Sequence, residues 1–272
     1  MSDDEPAENI SGGDDGGGIP AAFVPGDGDD APLVERVVDR LGERYWQKTY
    51  GGQDAFECLV RTILSQNTTD TASQPAHDSL MAKYDHDEET DLAASLADAH
   101  QPELAETIAS AGLYNQKSKT IIRLANRIVE EYGGADGFDE FVREGDYDEV
   151  RAALLNMKGV GPKTTDCVLL FAGGRDGVFP VDTHVHRIAR RMGFAPPDAD
   201  HEGVREAIES ELPPEKCGFG HTAMIQFGRD FCTARKPACL DDPEACPMTD
   251  VCEQVGVYPD TGEVVDPSET VE

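Results

Sequence analysis

The sequence predicts an all-α fold, and three observations carry that reading. Apolar residues recur at helical spacing along most of the chain, no segment alternates convincingly as a strand, and a Gly-Val-Gly turn separates two helical patterns. With 272 residues, 39% of them apolar, the chain has material for one large domain or two ordinary ones.

Residues 1–31 carry nine acidic side chains, no basic one and repeated Gly and Asp. That composition buries too little surface to fold alone, so a disordered acidic tail is expected there. The first helix is expected over 33–44, from Leu33, Val37, Val38 and Leu41. A second follows over 55–64, with Phe56, Leu59, Val60, Ile63 and Leu64. A third, over 118–132, uses Ile121, Leu124, Ala125, Ile128 and Tyr132, and Gly133-Gly134 stops it. Segments 147–157 and 162–172 form a helix pair around the glycine turn. The helix over 183–192 sets Val185, Ile188, Ala189 and Met192 on one face, and 201–212 and 221–231 complete the set. From residue 253 onward there are six acidic residues and no basic one, so 256–272 is expected to be a loose acidic tail.

The longest obvious apolar run, Cys167-Val168-Leu169-Leu170-Phe171-Ala172, is far short of a bilayer span. The N-terminus lacks a basic region followed by an apolar stretch, so a cytoplasmic protein with no membrane association is expected.

The turn Gly159-Val160-Gly161-Pro162-Lys163-Thr164 is the chemical centre of the sequence. Two glycines permit a tight turn and close approach of another backbone. Pro162 suits the first helical position. The helix start then presents free amides, a ready anion site. A helix-hairpin-helix of this kind grips a DNA phosphate mainly through backbone amides; an ordinary αα-hairpin is the plainer alternative. Lys163 sits in the first helical turn, badly placed for the helix dipole. Helix-end repulsion and burial favour its neutral, nucleophilic form, so a depressed pKa is expected; a solvated surface lysine is the alternative.

Asp182, in Val181-Asp182-Thr183-His184, stands at a helix N-cap position nineteen residues after Lys163. A capping carboxylate is rigid and ionised, suited to stabilising a positive sugar in a transition state. Arg187, Arg190 and Arg191 follow, expected on the helix's polar side, where they contact phosphates or balance an acidic surface.

Seven cysteines occur, and four of them cluster: Cys232, Cys239, Cys246 and Cys252, with six, six and five intervening residues. Such a group suggests ligation rather than a disulfide framework, either of a [4Fe-4S] cluster or of one Zn²⁺. Compact zinc modules pair cysteines two residues apart, which favours iron–sulfur. Cys58 and Cys167 read as buried thiols, and Cys217 has no evident role. Arg235 and Lys236, between the first two ligands, are well placed to touch phosphate.

The formal charge of −31, from 54 acidic and 23 basic residues, is unusual for a nucleic-acid binder. It resembles the composition of halophilic proteins, which work in concentrated salt. At ~1 M salt the Debye length is only about 3 Å, so a distant acidic face barely repels DNA. A binder that relies on backbone amides needs few lysines, and only eight are present. An acidic partner-binding chaperone fits less well, because the acidic residues are spread throughout the chain.

Taken together, Leu64-Ser65-Gln66-Asn67-Thr68-Thr69-Asp70, Gly112-Leu113-Tyr114-Asn115, the 159–163 turn, Val181-Asp182-Thr183-His184 and the stretch 228–239 resemble the endonuclease III family of helix-hairpin-helix DNA glycosylases and AP lyases. The likeness runs from about 34 to 252. It implies a six-helix domain, 54–176, ending in the hairpin, and a discontinuous iron–sulfur domain, 32–53 plus 177–255. It implies a Schiff-base role for Lys163 and a catalytic role for Asp182. It also implies that Gln66 and Asn67 enter the space left by a flipped base, with Leu113 as the opposing wedge. In the family the cysteine spacing is six, two and five, so the 240–245 segment here is four residues longer.

The resemblance implies a monomeric base excision repair enzyme acting on double-stranded DNA with damaged bases or abasic sites. Its substrates would be oxidised pyrimidines, with strand nicking by β-elimination. The alternatives are a lysine-dependent 8-oxoguanine glycosylase and a non-catalytic hairpin DNA binder.

Overall fold

The computed structural model describes residues 8–9, 28–46, 54–85 and 90–271. Most of the 1–31 segment therefore lies outside the described residues. The chain falls into two compact units, one of Gly51–Arg175 and one of Met1–Tyr50 with Asp176–Glu272.

The continuous unit is built around α2 (Ala55–Ser65), which is buried on nearly every side through Phe56, Leu59, Val60, Ile63 and Leu64. Asp54 starts it, its Oδ1 accepting from the amides of Phe56 at 2.8 Å and Glu57 at 2.9 Å. Then come α3 (Asp70–Tyr84), α4 (Leu92–Ala97), α5 (Gln101–Thr107) and α6 (Tyr114–Tyr132). The unit ends with α7 (Ala135–Glu144), α8 (Tyr147–Leu155) and α9 (Pro162–Phe171). Helices α3, α4, α5 and α7 are additions to the sequence-based expectation. In α3 the internal Pro75 and a scattered apolar pattern hide the helix. Helices α4 and α7 share one carboxylate: Asp91 caps α4 through Ala94 N at 2.8 Å and receives Ala135 N at 2.9 Å. Cys58 and Cys167 are buried, as their apolar surroundings predict.

The discontinuous unit contains α1 (Leu33–Arg44), α10 (Thr183–Met192), α11 (His201–Glu211), α12 (Cys217–Asp230) and the short α13 (Ala238–Asp241). Val34, Val37, Val38 and Leu41 of α1 join Val185, Ile188, Met224 and Phe227 in its core. Lys216, 2% exposed, pins the start of α12 to α1 through Asp39 at 2.6 Å and Glu35 at 2.7 Å. Burial works against its charge, but the two carboxylates outweigh that and hold its pKa above the usual lysine range. Removing either side of such a buried arrangement costs about 3–5 kcal/mol. Two-residue strands β1 (Glu8–Asn9) and β2 (Tyr45–Trp46) pair in parallel.

The expectation of a loose tail over 256–272 is corrected for 256–271. Strands β3 (Val257–Tyr258) and β4 (Glu263–Val264) form an antiparallel hairpin. Beyond it Asp266 takes Arg190 in a two-pronged ion pair at 2.9 and 3.0 Å, and Pro267 is buried. The acidic composition hid a single carboxylate with a buried guanidinium to meet. Among the described residues, no helix is long and apolar enough to cross a membrane.

Candidate active site and cluster loop

In the continuous unit, α8 and α9 are joined by the predicted hairpin. Val160 is buried and anchors the turn, and its amide bonds to Met157 O at 3.0 Å. The turn's other carbonyls are held from within the same unit. Arg127 donates to Asn156 O and Arg123 to Lys158 O, each at 2.9 Å. Gln66 Nε2 donates to Gly159 O at 3.3 Å and to Thr164 Oγ1 at 3.2 Å. Gly161 O accepts from Thr165 N at 2.9 Å. The carbonyls of Lys158, Gly159 and Gly161 are thus engaged within the unit. The start of a helix presents its first-turn amides outward, which makes it a natural anion site.

Lys163 is half-buried in that first turn. It lies near Cys58, whose thiol is pushed up to about 12 by burial and by Cys167, with the Lys163 charge pulling slightly the other way. Asp166, one turn further along, is 1% exposed and faces Arg151 at 3.7 Å.

Two loops adjoin the hairpin. Gln66 and Asn67 follow α2, and Asn67 is exposed with a left-handed backbone (φ 52°). Leu113 opens α6, also left-handed (φ 45°), and is 57% exposed; it is no core leucine. Gln66, expected to enter a base-sized gap, ties its amide to the hairpin in the DNA-free chain. The reason is the pair of acceptors within reach, Gly159 O and Thr164 Oγ1. Thr68 and Lys117 were not expected; both bridge these loops. A lysine on the apolar face of a helix, in register with Ile121, Leu124 and Ile128, is the sequence signal that could have found Lys117.

In the discontinuous unit, Asp182 caps α10. Its Oδ1 accepts from His184 N at 2.8 Å and Val185 N at 2.9 Å. The three arginines that follow do not form a polar phosphate-facing side, which corrects the expectation. Arg190 and Arg191 are buried, at 6% and 3% exposure. Arg191 donates to Thr233 O at 2.7 Å and Ala234 O at 2.6 Å, and reaches Cys232 Sγ at 3.6 Å. Arg187 directs its Nε and Nη2 to Cys232 O at 2.9 and 2.8 Å, and also bonds Gly228 O and His184. The guanidiniums of Arg187 and Arg191 are drawn inward by carbonyls of the segment after α12, and Arg190 by Pro197 O and Asp266. Arg235 and Lys236 are exposed, and Lys236 pairs with Asp241 at 2.8 Å.

The four clustered cysteines line one cavity, walled by Met192, Phe227, Phe231, Pro237 and Val257. Gln254 N donates to Cys252 Sγ at 3.3 Å. Apolar walls, a guanidinium and an amide aimed at sulfur suit an anionic thiolate centre. Burial, with neighbouring cysteines adding to it, pushes the Cys252 thiol up to about 12 and also raises Cys239 and Cys246. Loading a metal centre therefore releases protons. The longer 240–245 segment is absorbed at the surface. Asp241, Asp242, Pro243, Glu244 and Ala245 are exposed, and Asp242 caps a 3₁₀ turn through Glu244 N at 3.0 Å.

Residues 60–214 match the model of HhH-GPD superfamily base excision DNA repair proteins, and 232–252 match the iron–sulfur binding domain of endonuclease III. The chain belongs to the endonuclease III family. Endonuclease III of Thermotoga maritima is 30% identical over 81% of this chain and 92% of its own length. The Bacillus subtilis endonuclease III has the same identity and the same coverage. Among solved structures, a trapped endonuclease III–DNA covalent intermediate is 29% identical with a TM-score of 0.60, covering 74% of this chain and 84% of that one. A thermostable thymine-DNA glycosylase shares the fold at a TM-score of 0.64 and 23% identity, covering 82% of this chain and 96% of that one. This endonuclease III-like protein is a DNA glycosylase of base excision repair. Its cofactor is a [4Fe-4S] cluster, and the zinc alternative falls away.

Proposed function

We infer that the enzyme is a bifunctional glycosylase and AP lyase for oxidised pyrimidines, with Lys163 as nucleophile and Asp182 as the charge-stabilising carboxylate. The hairpin carries this reading. Arg123, Arg127 and Gln66 hold carbonyls of the turn and its approach, and the helix start beside Lys163 supplies the kind of amide site that takes a phosphate. The open space around Gly161 leaves room for that phosphate.

In this reading the damaged nucleotide leaves the stack, and Asn67 and the exposed Leu113 occupy the gap. Asp182, fixed by two amides, stabilises positive charge growing on the deoxyribose. The Lys163 amine attacks C1′ as the bond to the base breaks, and the base takes up a proton. The sugar ring opens to an imine. Loss of a C2′ proton then expels the 3′ phosphate by β-elimination, and water releases the lysine. That an endonuclease III relative has been captured as a covalent intermediate on DNA supports an adduct here. Cys232, Cys239, Cys246 and Cys252 would hold the cluster. Held by those four thiolates, a cluster would tie together the segment that carries Arg235 and Lys236, the two cations this reading brings to the DNA backbone.

Borohydride trapping on lesion-bearing duplexes, run at molar potassium chloride, is the test. The parent enzyme should become covalently linked to oxidised-pyrimidine DNA, and Lys163→Ala should not. A parent that excises bases with no reducible adduct would be monofunctional, and a preference for 8-oxoguanine would replace the substrate assignment. Binding through amides also implies a shallow salt dependence, since few counterions are released.

A further inference from the structure

Lys117 lies in the first turn of α6, four positions after Leu113, on the face that carries Ile121, Leu124 and Ile128 into the core. It is 4% exposed. Its ammonium donates to Leu64 O and Thr68 Oγ1, both at 2.7 Å, and to Ala111 O at 2.9 Å. Those three acceptors use all three of its N–H bonds. Burial draws the amine down to about 8, while the surrounding oxygens favour the charged form. Thr68 strengthens the knot: its single hydroxyl hydrogen donates to Ala111 O at 2.5 Å, with Gln66 O the alternative acceptor at 3.1 Å.

The joined segments are the loop leaving α2 and the loop entering α6. Each carries a left-handed non-glycine residue at its tip, Asn67 on one and Leu113 on the other. Stability alone argues for an apolar residue at 117, in line with the rest of the helix face, because a buried cation without a counter-charge is costly. The arrangement therefore answers to geometry rather than to stability.

We propose that Lys117 is a positioning residue for base excision: its ammonium fixes the spacing of the two loops so that Asn67 and Leu113 meet an opened base pair together. This rests on the gap-filling roles assigned to those two residues above.

The test uses the full-length, cluster-loaded enzyme. Lys117→Met keeps length and volume but removes the donors. Thr68→Val breaks the same knot through the hydroxyl, and Thr68→Ser retains it, so the inference does not hang on one variant's folding. In Lys117→Met, amides at 66–68 and 111–113 should exchange faster while iron content stays at the parent level. Single-turnover excision from duplex DNA should fall by about 100-fold, the size expected of a ~1 Å misplacement. Cleavage of a ready-made abasic site in single-stranded DNA, where no gap is opened, should hold its parent rate. Thr68→Val should follow Lys117→Met, and Thr68→Ser should rescue. The loss should not add to that of Leu113→Ala. Unchanged loop exchange with an unchanged duplex rate, or equal losses on both forms of DNA, would overturn the proposal. A harmless Leu113→Ala with loops that still loosen in Lys117→Met would overturn the gap-filling reading beneath it instead.

Discussion

Gly159 and Gly161 stand two positions apart in one turn, yet the fold demands glycine only at the first. Gly159 has φ +97°, and a Cβ there would meet Thr120 Cγ2 at 2.9 Å. Gly161 has φ −109°, and a Cβ there meets nothing within 4 Å. Gly159→Ala should therefore lower stability by more than about 1 kcal/mol, read as a lower melting temperature. Gly161→Ala should melt like the parent and yet bind abasic duplex more weakly, because the added methyl stands where a phosphate approaches. Equal binding by Gly161→Ala and the parent would refute the phosphate grip.

Asp182 serves two purposes that one pair of variants separates. Asparagine is as good an N-cap as aspartate, so Asp182→Asn should preserve α10 and the melting temperature while excision collapses. Asp182→Ala should lose excision and about 1 kcal/mol of stability as well. Single-turnover kinetics alongside thermal melts give both readouts. An active Asp182→Asn would make the carboxylate a cap and nothing more.

Iron removal should act locally. With Cys239→Ser, visible absorption should fall and the 232–252 segment should become open to protease. The α1–α10–α12 core, filled by Val37, Leu41, Ile188 and Phe227, should stay folded. Limited proteolysis with mass mapping would read this. Cleavage spread through α10 and α12 would mean that the cluster holds the whole unit together.

The C-terminal hairpin should let go in acid. The Arg190 guanidinium holds the Asp266 carboxyl far below the usual carboxylate range. A carboxyl depressed in the folded state stabilises above its unfolded pKa, about 3.9, and loses that contribution as pH falls further. The melting-temperature gap between the parent and Asp266→Asn should be open at pH 6, begin to narrow below about pH 4, and close only as the pH falls through the much lower pKa of the folded state. A gap that ignores pH would mean that the ion pair contributes nothing.

Helices such as α1 and α10 were legible because their apolar residues keep one unbroken stripe. Helix α3 was not, since Pro75 interrupts a face with little contrast, and α4 and α5 are too short for a stripe to register. The position of Lys163 at the hairpin and the cap role of Asp182 were legible because a glycine turn and a capping carboxylate are informative in one dimension. Arg187, Arg190 and Arg191 were misread because charge was taken to mean exposure. The carbonyls that draw two of them inside, at Cys232, Thr233 and Ala234, come from a segment some forty residues away, which no local pattern reveals. The 256–271 hairpin failed for a related cause: a run of acids gives no hint that one of them has a buried arginine to meet.

Four cations, Lys117, Arg190, Arg191 and Lys216, are sealed in the interior of a chain that owns only 23. The skin that meets solvent is consequently more anionic than the overall balance indicates. Two copies of the molecule, or one copy and a stray polyanion, repel each other wherever low salt leaves those charges unscreened.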